Sequence, residues 1–235
     1  MNEKNYFVRL SSIIKEKNML AQNLCDNLLL VRHKNPIKGP NILIAAGFHG
    51  DEPAPTWAIL EFIEKEQIAK VNISFLPLVN TTGFLKRTHL NDLGENPNRG
   101  FCHSGHPSRE GVTLFENISL IKELAKDGFL SLHEDSDMEE FYLYSYENSG
   151  LTSAIYDTCR RFFKPYTKGV IEGANIDNGI AKSHHDGSFE DFLSHEGVRA
   201  ICTETPGRSR LDIRIKANIE IIKTFCQPKI LFPHR

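Results

Sequence analysis

The chain has 235 residues, 40% hydrophobic and 25% charged, with no low-complexity run and no Pro/Gly/Ser-rich stretch dividing it. These values fit one globular domain over residues 1–235 and exclude disordered and fibrous classes. A net charge of -2 offers no basic footprint for nucleic acid, and no segment has the roughly 18 uncharged apolar residues of a membrane span.

The N-terminus, MNEKNYFVRL, carries an early Glu and no apolar h-region, so a cytoplasmic protein without a leader is expected. In chain order, Asn41 to Gly47 is a continuous apolar run ending in glycine, as in a strand buried on both faces of a parallel sheet. A loop from Phe48 to Pro55 follows. Thr56 to Gln67 places Trp57, Leu60 and Ile63 on one side at helical spacing. Val71 to Val79 reads as a second strand, closed by turn chemistry at Asn80-Thr-Thr-Gly83.

Phe84 to Glu110 is polar and irregular, the kind of long loop that carries function in compact domains. Next come a helix over about Thr113 to Ala125, a strand Gly128 to Leu132 running into His133-Glu-Asp, and a helix over Leu151 to Phe163. A strand Val198 to Thr203 and a helix Leu211 to Phe225 close the chain. Strands alternating with helices predict an α/β fold: a three-layer α/β/α sandwich around a mixed, mostly parallel central sheet. His49 with Glu52, His133, and Glu204 then each follow the C-terminal end of a strand, where open α/β sheets build their sites.

His49 and Glu52 stand three residues apart on a glycine-bearing turn, and His133 completes a His₂Glu set with an open position, as catalytic zinc uses. Any one of these histidines taken alone would more often be an ordinary hydrogen-bonded side chain. The five cysteines, Cys25, Cys102, Cys159, Cys202 and Cys226, form no CxxC pair and read as free thiols. Cys102 lies beside His103 and His106, which is too loose a grouping to define a thiolate nucleophile.

Taken in order, these motifs resemble the zinc carboxypeptidase superfamily, including murein peptide amidases and the succinylglutamate desuccinylase and aspartoacylase group. The likeness runs from about Asn41 to Phe225. His49-Gly-Asp-Glu52 is similar to the family's His-x-x-Glu pair, and Leu132-His133 to its third ligand. The resemblance implies one Zn²⁺ per chain on His49, Glu52 and His133, with Glu204 of Cys-Thr-Glu-Thr-Pro as general base. It also implies an oxyanion role for Arg87, which neighbouring Lys86 could equally fill, and a grip on a substrate carboxylate by Asn98 and Arg99. A guanidinium fork suits a planar carboxylate, although Arg99 could also be a solvated loop charge. Gly187, Ser188 and Asp191 are similar to the family's Gly-Ser-x-x-Asp segment.

Two departures stand out. Asn96 occupies the place where many relatives have an Asp to hold a zinc-bound imidazole. No tyrosine precedes Gly-Ser; Lys182, His184 and His185 stand there, which favours a specialised small substrate and makes the two histidines candidates for its pocket. Adjacent residues of a strand face opposite ways, so Glu134 is expected to point away from the metal if His133 faces it.

The expected activity is zinc-assisted hydrolysis of an amide beside a free carboxylate, on a small peptide. An N-acyl amino acid hydrolase and a metal-free carboxylate-binding domain are the alternatives. No nucleic-acid or membrane partner is expected.

Overall fold

A computed structural model describes residues 3–25, 28–66, 70–102, 105–147, 150–182 and 184–231. His103 and Gln67 lie outside the described residues. The elements in chain order are α1 (Glu3–Glu16), β1 (Met19–Cys25), β2 (Leu28–His33), β3 (Asn41–Ala46), α2 (Pro53–Lys65), β4 (Asn72–Leu76), α3 (Thr81–Lys86), α4 (Arg109–Glu116) and α5 (Ile118–Leu124). They continue as β5 (Gly128–Asp135), β6 (Tyr142–Tyr146), α6 (Leu151–Cys159), β7 (Lys168–Ile171), β8 (Ala174–Asp177), β9 (Ile180–Lys182), α7 (Phe189–His195), β10 (Ala200–Pro206), α8 (Leu211–Phe225) and α9 (Pro228–Leu231).

The ten strands form one mixed sheet in the order β1-β2-β4-β3-β5-β10-β6-β9-β8-β7. At its centre β4, β3, β5 and β10 run parallel. The antiparallel pairings flank them, at β1-β2-β4 on one side and at β10-β6 and β9-β8-β7 on the other.

Alternation along the central strands builds the layers. Ile42, Ile44, Leu130 and Leu132 enter one core with Tyr6 of α1, Trp57 and Leu60 of α2, and Ile215 and Ile222 of α8. Leu43, Ala45 and Phe129 enter the opposite core with Leu114 of α4, Ile121 of α5 and Phe189 of α7. The sandwich has three layers because these strands carry apolar side chains on both faces.

The structure refines several sequence expectations. Asn80 is not the end of a strand in a turn but the N-cap of α3, its side chain accepting from Gly83 N at 2.8 Å. The helix expected over Thr113 to Ala125 is two helices that meet at Asn117, the C-cap of α4. The strands carrying His133 and Glu204 run farther than expected, to Asp135 and Pro206, so both residues lie inside ladders. No helix among the described residues is long and apolar enough to cross a membrane.

Candidate metal centre

The register of three strands fixes one face of the site. His133 of β5 pairs with Glu204 of β10, and Glu204 pairs in turn with Tyr142 of β6. Residues aligned across a sheet share a face, so imidazole, carboxylate and phenol stand in a row at the C-terminal end of the parallel strands. Glu134 faces the other way, accepting from Ala54 N of α2 at 2.9 Å and from Arg214 of α8 at 2.7 Å.

His49 and Glu52 come from the loop between β3 and α2, which glycine makes possible. Gly47 has φ 68°, and a Cβ there would meet Leu78 Cδ1 at 2.7 Å. A Cβ on Gly50 would lie 1.9 Å from the backbone carbon of Gly83, so the loop presses backbone to backbone on α3, and Gly50 N donates to Thr88 O, just past that helix, at 3.0 Å.

Glu52 joins the two imidazoles. His49 Nδ1 lies 2.6 Å from Oε1 and His133 Nδ1 lies 2.9 Å from Oε2, with Glu134 N donating to Oε2 at 3.2 Å. All three side chains are buried. Burial pushes the Glu52 carboxyl upward, but the two imidazoles outweigh it and hold the group well below the ordinary carboxylate range. For His133 burial acts downward and Glu52 outweighs it, leaving the ring pushed up to about 10.

Two ring nitrogens aimed at one buried carboxylate require positive charge between them, either protons or a divalent cation. Nitrogen and oxygen donors of this kind suit zinc, so the residues present fit the ion that the sequence implies.

The outer nitrogens of both rings are also held. His49 Nε2 lies 3.1 Å from Asn96 Oδ1, and His133 Nε2 lies 3.0 Å from Ser131 Oγ. An Nε2–H donated outward leaves each Nδ1 lone pair for an ion. Asn96 therefore fills the place of the missing Asp with a neutral acceptor, so the contact that the sequence suggests is lost persists without its charge.

His89, unnoticed in the sequence, stacks on His49 with ring centroids 3.6 Å apart. The ligand atoms of His49, Glu52 and His89 lie within 4.8 Å of one another, so His89 competes geometrically with His133 for the third position. His89 is about half exposed, and its Nδ1 is 3.4 Å from Asp51 Oδ1, which raises its pKa. His133 is 1% exposed and fixed on a strand, which makes it the better preorganised of the two.

The cavity above these groups measures about 210 Å³. Eight residues turn carboxylates toward it, Asp51, Glu52, Asp135, Asp137, Glu172, Asp186, Glu190 and Glu204, while Glu134 borders it with its own carboxylate turned to α2 and α8. Burial, the largest influence, together with Glu52, Asp135 and Glu172, pushes Glu204 far above the ordinary carboxyl value, with His133 pulling the other way. Tyr142 and Tyr144 also face the cavity, and Tyr142 donates to Asp135 Oδ2 at 2.8 Å. The alternating YLYSY of β6 is the sequence signal that could have found them.

Arg99 lines the cavity and is already engaged, donating to Asn98 O at 2.9 Å and Glu172 Oε2 at 2.7 Å, with Asp186 at 3.3 Å. Asn98 is 2% exposed and committed on both sides, its Oδ1 accepting from Phe189 N at 2.9 Å and its Nδ2 facing Glu190.

Arg87 stands apart from the other expected site residues. It caps α3 in the left-handed conformation, φ 57°, and pairs with Glu3 of α1 at 2.7 Å beside a separate hollow lined by Trp57 and Phe84. Helix α1, which the sequence reading did not include, supplies the counter-charge, and the guanidinium does not line the cavity. His184 and His185 do not line it either. The first stacks on Tyr144, and the second turns to Asp191.

Neither a family model nor a curated protein matches the sequence. Solved structures do. A Shewanella baltica protein assigned as a metallopeptidase is 32% identical, with a TM-score of 0.90 over 95% of this chain and 91% of that one. A Burkholderia cenocepacia metallo-carboxypeptidase is 13% identical, with a TM-score of 0.74 over 96% of this chain and 68% of that one. A Vibrio parahaemolyticus succinylglutamate desuccinylase is 18% identical, with a TM-score of 0.64 over 94% and 71%. Fold and site together define a metallopeptidase-like α/β protein. The chain belongs to the metallopeptidase family of the Shewanella baltica protein, and its fold is carboxypeptidase-like.

Proposed function

We propose that the chain is a zinc-dependent hydrolase of an amide bond beside a free carboxylate, with His49, Glu52 and His133 holding the ion. The observation that carries this reading is Glu52, whose two oxygens each face an imidazole Nδ1 while Glu204 stands one strand away. Zinc held there supplies polarisation of the scissile carbonyl and a lowered pKa for water.

Glu204 takes the proton from the attacking water and passes it to the leaving nitrogen. Arg99 receives the substrate carboxylate, displacing Glu172, and Asn98, held by Glu190 and Phe189, positions the guanidinium through its backbone oxygen. With Arg87 outside the cavity, Tyr142, Tyr144 and His89 are lining donors that can face developing negative charge.

Eight lining carboxylates around one paired guanidinium also favour a substrate that carries a positive charge besides its carboxylate. An N-acyl amino acid hydrolase shares every one of these parts except the acyl group, and a carboxylate-binding domain shares all but the ion.

The test is a hydrolysis screen of dipeptides, cell-wall peptides and acyl amino acids in matched cationic, neutral and anionic forms, with and without chelator. We expect chelator-sensitive release of an amino acid, fastest from cationic peptides. Glu204→Gln is expected to keep zinc and lose activity by at least about 100-fold. Full activity in that variant would remove Glu204 from the mechanism. Binding of substrate without any turnover in zinc-loaded protein would favour the binding domain.

A further inference from the structure

His185, Asp191 and His195 form a second cluster with metal-ligand chemistry, outside the cavity just described. Asp191 sits inside α7 and is buried, whereas the two histidines bracket that helix, one before its N-cap Ser188 and one as its last residue. His185 Nδ1 lies 2.8 Å from Asp191 Oδ1, and His195 Nδ1 lies 3.3 Å from the same oxygen and 2.9 Å from the backbone oxygen of Asp191. The ring centroids are 4.7 Å apart, and the ligand atoms of all three residues fall within 4.8 Å of one another.

A structural carboxylate needs far less than this. Asp191 Oδ2 already accepts from Gly187 N at 3.0 Å, and a single imidazole would satisfy the other oxygen. His195 Nδ1 is held by the Asp191 backbone oxygen, yet one ligand atom from each of the two exposed rings and the carboxylate lies within 4.8 Å of the others at the surface, where water can complete a coordination shell.

We propose that His185, Asp191 and His195 bind a second divalent transition-metal ion, of the zinc type. Two imidazoles with one carboxylate select zinc, cobalt or nickel over magnesium and calcium. The ion ties both ends of α7 together. That segment carries Asp186, which pairs with Arg99, and Phe189 and Glu190, which hold Asn98, so the brace fixes one wall of the cavity. The site stands on its own residues and is independent of the hydrolase reading.

The test uses the full chain stripped with chelator and dialysed against buffered Zn²⁺, with bound metal counted by mass spectrometry. The unaltered chain is expected to bind one more zinc than His185→Asn/His195→Asn. In the His49→Asn/His133→Asn background, zinc at a hundredfold excess over its Kd is still expected to raise Tm by about 5–10 °C. Single His195→Gln, a change at an exposed helix end that leaves the core alone, is expected to weaken the additional ion at least tenfold. Equal zinc content in the unaltered chain and in His195→Gln, at every free-zinc concentration, overturns the proposal. So does occupancy by Mg²⁺ as tight as by Zn²⁺. Failure of the catalytic centre alone would show differently, as zinc lost entirely from His185→Asn/His195→Asn and retained in His49→Asn/His133→Asn.

Discussion

Asn96 shows how one atom changes a site without dismantling it. Its Oδ1 accepts from the outer nitrogen of His49 as a carboxylate would, and it also accepts from Asn98 N at 2.9 Å, but it adds no negative charge to the ring. Restoring the charge with Asn96→Asp is expected to tighten zinc binding, and Asn96→Ala to weaken it by about 10–100-fold, as read by chelator competition. Glu172 supplies a second residue-scale prediction. It reaches Arg99 from the β7-β8 turn, where its φ is 49° and its side chain is 62% exposed, so its hold on the guanidinium is a screened contact that a substrate can displace. Glu172→Gln is expected to lower KM for a carboxylate substrate severalfold with little change in kcat. An unchanged KM would show that the carboxylate binds elsewhere. Among the thiols, Cys159, Cys202 and Cys226 are buried and pushed above the ordinary value by that burial, and Cys102 is exposed. A thiol reagent at neutral pH is therefore expected to label Cys102 first in the native protein, and the three buried groups only on unfolding.

Local sequence made some elements readable and hid others. The run Asn41–Ala46 is apolar on both faces and the segment Leu211–Phe225 repeats isoleucine at helical spacing, so each declares its period. The strands β7, β8 and β9 were missed because they have three or four residues each, too few to declare a period. What sets them is the turns: Glu172-Gly173 and Asn178-Gly179 both take positive φ, the geometry of tight hairpins. Helix α1 was missed for a different reason, since its docking depends on partners far along the chain. Arg9 pairs with Glu64 of α2, and that contact holds Glu64 below its ordinary value. A depressed carboxylate stabilises the fold above its unfolded pKa and loses that contribution as pH falls through the native one. Glu64→Gln is thus expected to cost no more than about 1 kcal/mol at neutral pH, because the pair is about one-third exposed. The deficit should vanish in acid below the lowered Glu64 value, as measured by denaturant unfolding across pH.

The site as a whole was legible where it depended on the ends of the central parallel strands, and illegible where it depended on the flanks. His133 and Glu204 follow apolar strands and come together through the β5-β10 register, whereas Tyr142, Glu172 and Asp186 reach the cavity from the antiparallel side and from loops. The product is a cavity whose acidic groups repel one another unless a cation is present. Glu204 carries that conflict most plainly, lifted by burial and by Glu52, Asp135 and Glu172. In metal-stripped protein a carboxyl raised in the folded state binds more protons than the unfolded chain does. Stability therefore declines as pH rises above the unfolded value near 4.5, and goes on declining until the folded group ionises. Glu204→Gln removes the titrating group. The stripped variant is expected to be more stable than the stripped parent at neutral pH by about 0.5–2 kcal/mol, the gap opening as pH rises and closing below about 4.5. Added zinc should narrow the difference, because the ion neutralises what the substitution deletes. A stripped Glu204→Gln chain that melts below its parent at neutral pH would mean that this carboxyl is well solvated and ionised in the fold. The price of holding an ionisable base beside an unfilled centre would then be absent.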